Sequence, residues 1–216
     1  VTDWTTISSL ATGVGTLVLA VATFASVRSA NRSARLAQEA LKVNQRPLLV
    51  NSRLDDPKQK IFFVEGHAMV LEGGRGGAEF DNGVVYLGIS VRNAGQGIAV
   101  LHGWHFRAGL EIDPPRPDPA TFRHQSRDIL IAPGDVGFWQ GAFRDGDDPQ
   151  YEEAVTAFKS DEGDEVVLTI DLLYGDMDGG QRVISRMMLR RVVRDGNRLW
   201  ISSVVRHWNV DRPDPR

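Results

Sequence analysis

Two spacings of apolar residues divide this chain, and they change over at Arg46-Pro47. Upstream, Thr5 to Val27 is a run of 23 residues without a charge. At ~1.5 Å rise per residue it makes about 34 Å of helix, against a hydrocarbon core of about 30 Å. The run is only moderately apolar, because Thr5, Thr6, Ser8, Ser9, Thr12, Gly13, Gly15, Thr16, Thr23 and Ser26 dilute its Leu, Val, Ile and Ala. A buried helix of a soluble protein is the alternative. Trp4 at one end and Arg28 and Arg32 at the other stand where interfacial anchors belong. The pattern predicts a transmembrane helix over about 5–27, continued by a polar juxtamembrane helix over 28–45.

Small residues gather on one stripe of that helix: Ala11, Gly15, Ala22 and Ser26. Lipid provides no hydrophobic drive between helices, so close backbone approach at small side chains is what lets them associate. Beyond the span, Val27, Ala30, Ala34, Ala37, Leu41 and Asn44 recur at steps of three and four, a heptad seam with alanine at most core positions. Both features predict helix packing, with a protein partner or with a second copy. Alanine is also simply a good helix former, which accounts for part of the pattern.

After Pro47 the spacing becomes two. Leu48–Leu54, Ile61–Glu65, His67–Leu71, Val84–Asn93, Ile98–Arg107, Asp128–Ile131, Val136–Arg144, Glu165–Tyr174, Arg182–Val193 and Leu199–Trp208 read as strands. Turn residues separate them, among them Asp81-Asn82-Gly83, Pro133-Gly134-Asp135, Asp178-Gly179-Gly180 and Asp195-Gly196-Asn197. Tyr151–Lys159 is the one helical stretch in this region. The fold class is therefore mainly β: an N-terminal helix followed by an antiparallel, Ig-like β-sandwich, with a partly closed barrel as the alternative. The domains are 1–46, the helix; 47–210, the sandwich; and 211–216, a tail. Alternation places Val85, Leu87, Ile89, Val91, Val166, Leu168, Ile170 and Leu172 in the core, with Phe138, Trp200 and Val204 beside them.

Charge adds orientation. Arg28, Arg32, Arg35, Lys42 and Arg46 follow the apolar run against a single Glu39, which places the amino terminus outside and the β-domain in the cytoplasm of a single-pass membrane protein. No positive stretch precedes the run, so it reads as a retained anchor rather than a secretion signal. Asn31-Arg32-Ser33 fits the glycosylation sequon but falls on the cytoplasmic side of that topology. A net charge of −3 does not suggest a nucleic-acid binder, and without cysteine there are no disulfides or zinc-thiolate sites.

Four sets of residues could carry chemistry. Among the histidines, His102-Gly103-Trp104-His105 is the densest cluster, with His124 and His207 apart from it. On a regular strand His102 and His105 point to opposite faces, so a shared metal needs a bulge at Gly103. Asp145-Gly-Asp147-Asp148 and Asp176-Met-Asp178-Gly179 offer hard oxygen ligands yet lack the rest of a calcium loop, and Asp beside Gly is ordinary turn chemistry. The glycine run Gly73–Gly77 lacks the Lys-Ser/Thr of a phosphate loop and reads as a flexible loop. Last, Arg182, Arg186, Arg190 and Arg194 fall on one strand face, opposite Val183, Met187, Leu189 and Val193. That row could bind anions such as lipid head groups. Alternatively Glu165, Thr169 and Asp171 on the preceding strand face it, and cross-strand pairing neutralises it. Trp104, Trp139, Trp200 and Trp208 are expected in the core more than in a ligand groove.

Arg46-Pro47-x-Leu49, followed by Val91-Arg92-Asn93-x-Gly95-x-Gly97-x-Ala99, resembles a pattern in bacterial single-pass membrane proteins with a cytoplasmic β-sandwich, over roughly the first hundred residues. The resemblance implies architecture and no catalytic residue. No cofactor motif is present, and the expected role is a membrane-anchored interaction or accessory subunit presenting its β-domain to a protein partner. A tethered hydrolase using His and Asp, or an anionic-lipid binding module, are the alternatives.

Overall fold

In the computed structural model, residues 3–110, 115–159, 166–194 and 196–214 are described, apart from the side chains of Thr5, Thr6 and residues 42–44. The chain divides into two compact units, 1–44 and 45–216. The first is a single helix, α1 (Trp4–Asn44). Its apolar side chains point in every direction: Leu10, Leu17, Val18, Leu19, Val21 and Phe24 are each 59–70% exposed. A helix apolar all round belongs in a core or in lipid, and this one is long and apolar enough to cross a membrane. Four of the hydroxyls that dilute it satisfy themselves. Thr12, Thr16, Thr23 and Ser26 each donate to the carbonyl four residues back, at 2.8–2.9 Å, so none presents an unmet donor to an apolar surrounding.

The second unit is mainly antiparallel β. Its strands are β1 (Leu49–Asn51), β2 (Gln59–Phe62), β3 (Ala68–Leu71), β4 (Arg75–Asp81), β5 (Val84–Asn93), β6 (Ala99–Ala108), β7 (Arg123–His124), β8 (Leu130–Ile131), β9 (Val136–Phe143), β10 (Val167–Gly175), β11 (Val183–Arg194) and β12 (Asn197–Asn209). One helix, α2 (Tyr151–Lys159), matches the helical stretch of the sequence. Ten strands form a continuous sheet in the order β1-β5-β4-β12-β11-β10-β6-β7, with β9 on β5 and β8 on β6. The sheet folds over so that β9-β5-β4 faces β12-β11-β10-β6, and it does not close into a barrel.

Every second residue of the main strands enters the core between the layers: Val85, Leu87, Ile89 and Val91 from β5, and Leu168, Ile170, Leu172 and Tyr174 from β10. The aromatic centre bridges them, with Trp104 edge-on to Trp139 and Phe143 at 5.3 and 5.2 Å. Phe138, Trp200 and Val204 are partly buried against it. The outer faces are covered as well. The β2–β3 hairpin lays Ile61, Phe63, Met69 and Leu71 over Tyr86. Phe122, Leu173, Ile184 and Trp208 cluster on the other side.

The glycine run is not a loop throughout. Gly76 and Gly77 are inside β4, where a side chain would collide with Leu189 below and Met69 above. Their role is close packing between layers. The Asn93-x-Gly95-x-Gly97 stretch follows the end of β5, where glycines would be expected to serve a turn by adopting conformations closed to other residues. Neither glycine has positive φ. Instead, a side chain at Gly95 or Gly97 would strike the backbone of residues 45–48, where the chain enters the domain. Asn93, fully buried, fastens that entry: Oδ1 accepts from Leu48 N at 3.1 Å and Gly95 N at 3.0 Å, and Nδ2 donates to the Gly97 and Ile131 carbonyls at 2.7 and 2.9 Å.

β1 has a backbone partner on one edge only, β5. Its other edge is sealed by side chains. Leu49 N donates to the Tyr174 hydroxyl at 3.0 Å, Ser185 Oγ reaches the Leu49 carbonyl at 3.4 Å, and Asn51 Nδ2 donates to Ser202 Oγ at 2.5 Å. The residues after β12 fold back rather than trail away: Asp211 receives Arg182, and Asp214 Oδ1 accepts from Asn209 N at 3.1 Å. Pro215 and Arg216 lie outside the described residues.

Candidate functional site

The arginine row does not form one open face. Asp171 is directly opposite Arg186 in the β10–β11 register. The two make a bidentate pair, both bonds 2.7 Å, with side chains 1% and 3% exposed. Trp208 lies over the guanidinium at 5.1 Å and has Arg206 at 5.4 Å. Arg182 is held by Asp211 at 2.7 Å, which keeps that carboxyl below its ordinary pKa. Arg190 and Arg194 are exposed at the far end and have interactions of their own. Cross-strand pairing therefore accounts for the middle of the row through Asp171. Thr169 turns to the Gly109 carbonyl instead, at 2.6 Å, and Glu165 lies outside the described residues. On the opposite face Val183, Met187 and Leu189 are buried as expected, whereas Val193 is 71% exposed.

The bulge that would bring His102 and His105 to one side is present: the β6–β10 register skips His102 opposite Leu173 and Tyr174. Trp104 enters the core, and His105 packs near Phe122, ring centres 6.0 Å apart. His102 borders a cleft of about 600 Å³ with Phe122, His124, Leu173 and Arg182. Burial lowers the pKa of both His102 and His105 from the ordinary 6.5. Among the described residues no three His, Asp or Glu side chains come together as a metal site. His207 is elsewhere, its Nδ1 2.7 Å from Ser185 Oγ, which is 2.7 Å from the Tyr174 hydroxyl. Ser185 and Tyr174 are fully buried, and burial pushes the tyrosine pKa up to about 12. This hydroxyl chain seals β1; a buried serine inside the sheet is not placed to attack a substrate.

The acidic turns hold their own backbone. Asp145 Oδ1 accepts from Asp147 N at 3.0 Å, and Asp148 from Gln150 N at 2.9 Å while pairing with Arg123. Asp176 Oδ1 accepts from Asp178 N and Gly180 N at 3.1 and 2.8 Å. These are Asx turns, the chemistry that favours Asp beside Gly.

The helix-packing residues Ala11, Gly15, Ala22, Ser26, Ala30, Ala34, Ala37 and Leu41 are all exposed along α1. The side chain of Asn44 lies outside the described set.

A site that the alternation pattern did not single out forms where β4 and β12 part. They pair only at Gly76↔Trp200 and Arg75↔Ile201. Continuing that register sets Gly77, Ala78 and Glu79 opposite Leu199, Arg198 and Asn197, yet no pairing is present there. A cleft of about 570 Å³ opens between the two strands, walled by Phe80, Phe158 and Trp200 and lined by Arg75, Lys159, Arg191 and Arg198. Its two carboxylates are engaged: Glu72 by Lys58 and Arg75 at 2.7 and 2.9 Å, Glu79 by His67 at 2.8 Å. The cleft therefore sets cations beside aromatic surface, and Arg75, Arg191 and Arg198 among them have partners within the chain. One signal in the sequence could have found part of it: a hairpin at Asp195-Gly196 sets Arg191 opposite Trp200 and Val193 opposite Arg198. Lys159 and Arg75 arrive from elements distant in sequence. No protein-family model, curated protein or solved structure matches this chain.

Removing one partner of a buried ion pair leaves the other charge unmet, whereas replacing both with apolar groups does not. Asp171→Ala should lower the unfolding free energy of the full chain in detergent by about 3–5 kcal/mol, and Asp171→Leu with Arg186→Met should recover most of it. Equal losses in the single and double variants, measured by urea denaturation, would show that the pair is not what the region rests on.

Proposed function

We propose that this protein is a membrane-anchored interaction or accessory subunit. In this reading α1 crosses the bilayer with the amino terminus outside, and the β-domain is presented in the cytoplasm to a protein partner. The helix packs against a second helix along Ala11, Gly15, Ala22 and Ser26, and the seam Ala30, Ala34, Ala37, Leu41 carries the contact past the membrane. The observation that carries the reading is a contrast between the two units. The helix exposes its apolar side chains on every side, while the charged and polar clusters of the domain, Asp171–Arg186, Asp211–Arg182 and Tyr174–Ser185–His207, are engaged with one another. Side chains committed to internal pairs are poor candidates for acid–base or nucleophilic work. The resemblance of the first hundred residues to bacterial single-pass proteins points the same way.

Leu at Ala11 and Gly15 adds bulk where two backbones are to meet. The double variant should lose association of the full chain, read as the loss of a cysteine-free chemical cross-link or of energy transfer between labelled copies or between the chain and its partner. Association unchanged by the two leucines would remove the helix from the account. A fluorescent reporter fused after Arg216 should be active in the cytoplasm; activity only on the outer side would reverse the topology.

A further inference from the structure

Large side chains run down one side of α1. Leu10, Val14, Leu17, Val21 and Phe24 recur at steps of four and three, and Arg28, Arg32 and Arg35 continue the same side. At 3.6 residues per turn they all fall within about 80° of arc. The small stripe Ala11, Gly15, Ala22, Ser26 and the seam Ala30, Ala34, Ala37, Leu41 are each centred more than about 120° away. Helices in lipid meet closely at small residues, and branched or aromatic side chains hold a second backbone off. The side that ends in the arginines is therefore the one turned away from a packed helix, toward lipid.

The arginines stand where that side leaves the hydrocarbon. Arg28 is the first charge after the apolar run, and Arg32 and Arg35 follow about 6 and 10 Å further along the axis. A head-group layer of roughly 5–8 Å, extended by a Debye length of about 8 Å, reaches all three. They are exposed, and among the described residues none of them makes a hydrogen bond or an ion pair. Their neighbours on the helix are one another, three and four residues apart, a spacing at which like charges oppose helix formation. An anion set between them removes that opposition, and guanidinium groups take phosphate oxygens in pairs. Phe24 and Asn31 border the same groove as the three arginines. Glu39, on the same side one turn beyond Arg35, ends the cationic run.

We infer that this side of α1 is a binding surface for anionic phospholipid, with acyl chains lying along Leu17, Val21 and Phe24 and the phosphate held by Arg28, Arg32 and Arg35. Apolar contact alone does not distinguish one lipid from another; the arginines select by head-group charge. The inference rests on the reading of α1 as a membrane span and specifies which lipid its unpacked side takes.

The test reconstitutes the full-length protein in bilayers with the same lipid mixture in both leaflets, so that orientation does not matter. Electron spin resonance then reads how strongly spin-labelled phosphatidylglycerol is preferred to spin-labelled phosphatidylcholine at the protein surface. The unmodified chain should prefer the anionic lipid by about threefold or more at low salt. Arg28→Gln, Arg32→Gln and Arg35→Gln together should bring the ratio close to one, glutamine being about as good a helix former as arginine. Combining Arg32→Ser with Ser33→Arg keeps the charge but turns one guanidinium about 100° off this side, and should at least halve the preference. No preference in the unmodified chain, or one that survives the triple change, overturns the inference. A preference untouched by the Arg32–Ser33 exchange overturns it as well, because the number of charges alone would then set it. Displacement of the anionic lipid by millimolar inorganic phosphate at constant ionic strength would assign the arginines to a soluble anion and overturn it equally. A chain that carbonate washing strips from the bilayer fails the membrane reading itself; one that stays embedded without lipid preference leaves that reading standing while this inference falls.

Discussion

The domain depends on how its first strand is received. A chain leaving a long helix enters a sheet at β1, a segment of three residues with a ladder on one edge only. The second edge cannot be left bare inside the fold, because a buried amide or carbonyl without a partner costs about 1–3 kcal/mol. Tyr174, Ser185 and Ser202 provide that second edge from three different strands, and Asn93 fastens the residues just before β1 to the turns on either side. Arg46 adds a bond to Asn209, near the carboxyl end. Strands separated by well over a hundred residues in sequence thus meet at the point of entry.

That arrangement explains why so much polar chemistry yields so little that looks catalytic. A tyrosine whose pKa rises to about 12, a serine beside a histidine and a bidentate carboxylate–guanidinium pair would each be notable in an open cleft. Here each joins strands inside a sheet folded over on itself. What the described residues leave exposed is the apolar surface of α1.

Much of the architecture was legible in the alternation pattern. β5 begins and ends at the residues the pattern gives, α2 likewise, and the eight strand positions named as core on β5 and before and within β10 are buried. The pairing of Asp171 with Arg186 was legible as an alternative, because the Asp178-Gly179-Gly180 turn makes their strands neighbours. β4 was missed because Gly76 and Gly77 read as a loop; only the neighbours Leu189 and Met69 show that small residues are needed there for packing. The bulge at His102 has no local signal beyond Gly103, so the facing of the histidines could not be settled from spacing. The cleft brings together Arg75, Lys159, Arg191 and Arg198 from four elements, a meeting set by strand order and not by any motif.

The claim on which all of this turns is that β1 is integral to the folded domain, sealed by side chains as firmly as by a ladder. Amide hydrogen exchange on the full chain in detergent measures it directly. The Leu49 amide, whose acceptor is the Tyr174 hydroxyl, is predicted to exchange only with global unfolding, at the rate of Ile170 and Leu172 in the core. Exchange of Leu49 as fast as the exposed Gly146, while Ile170 and Leu172 stay protected, would contradict the account.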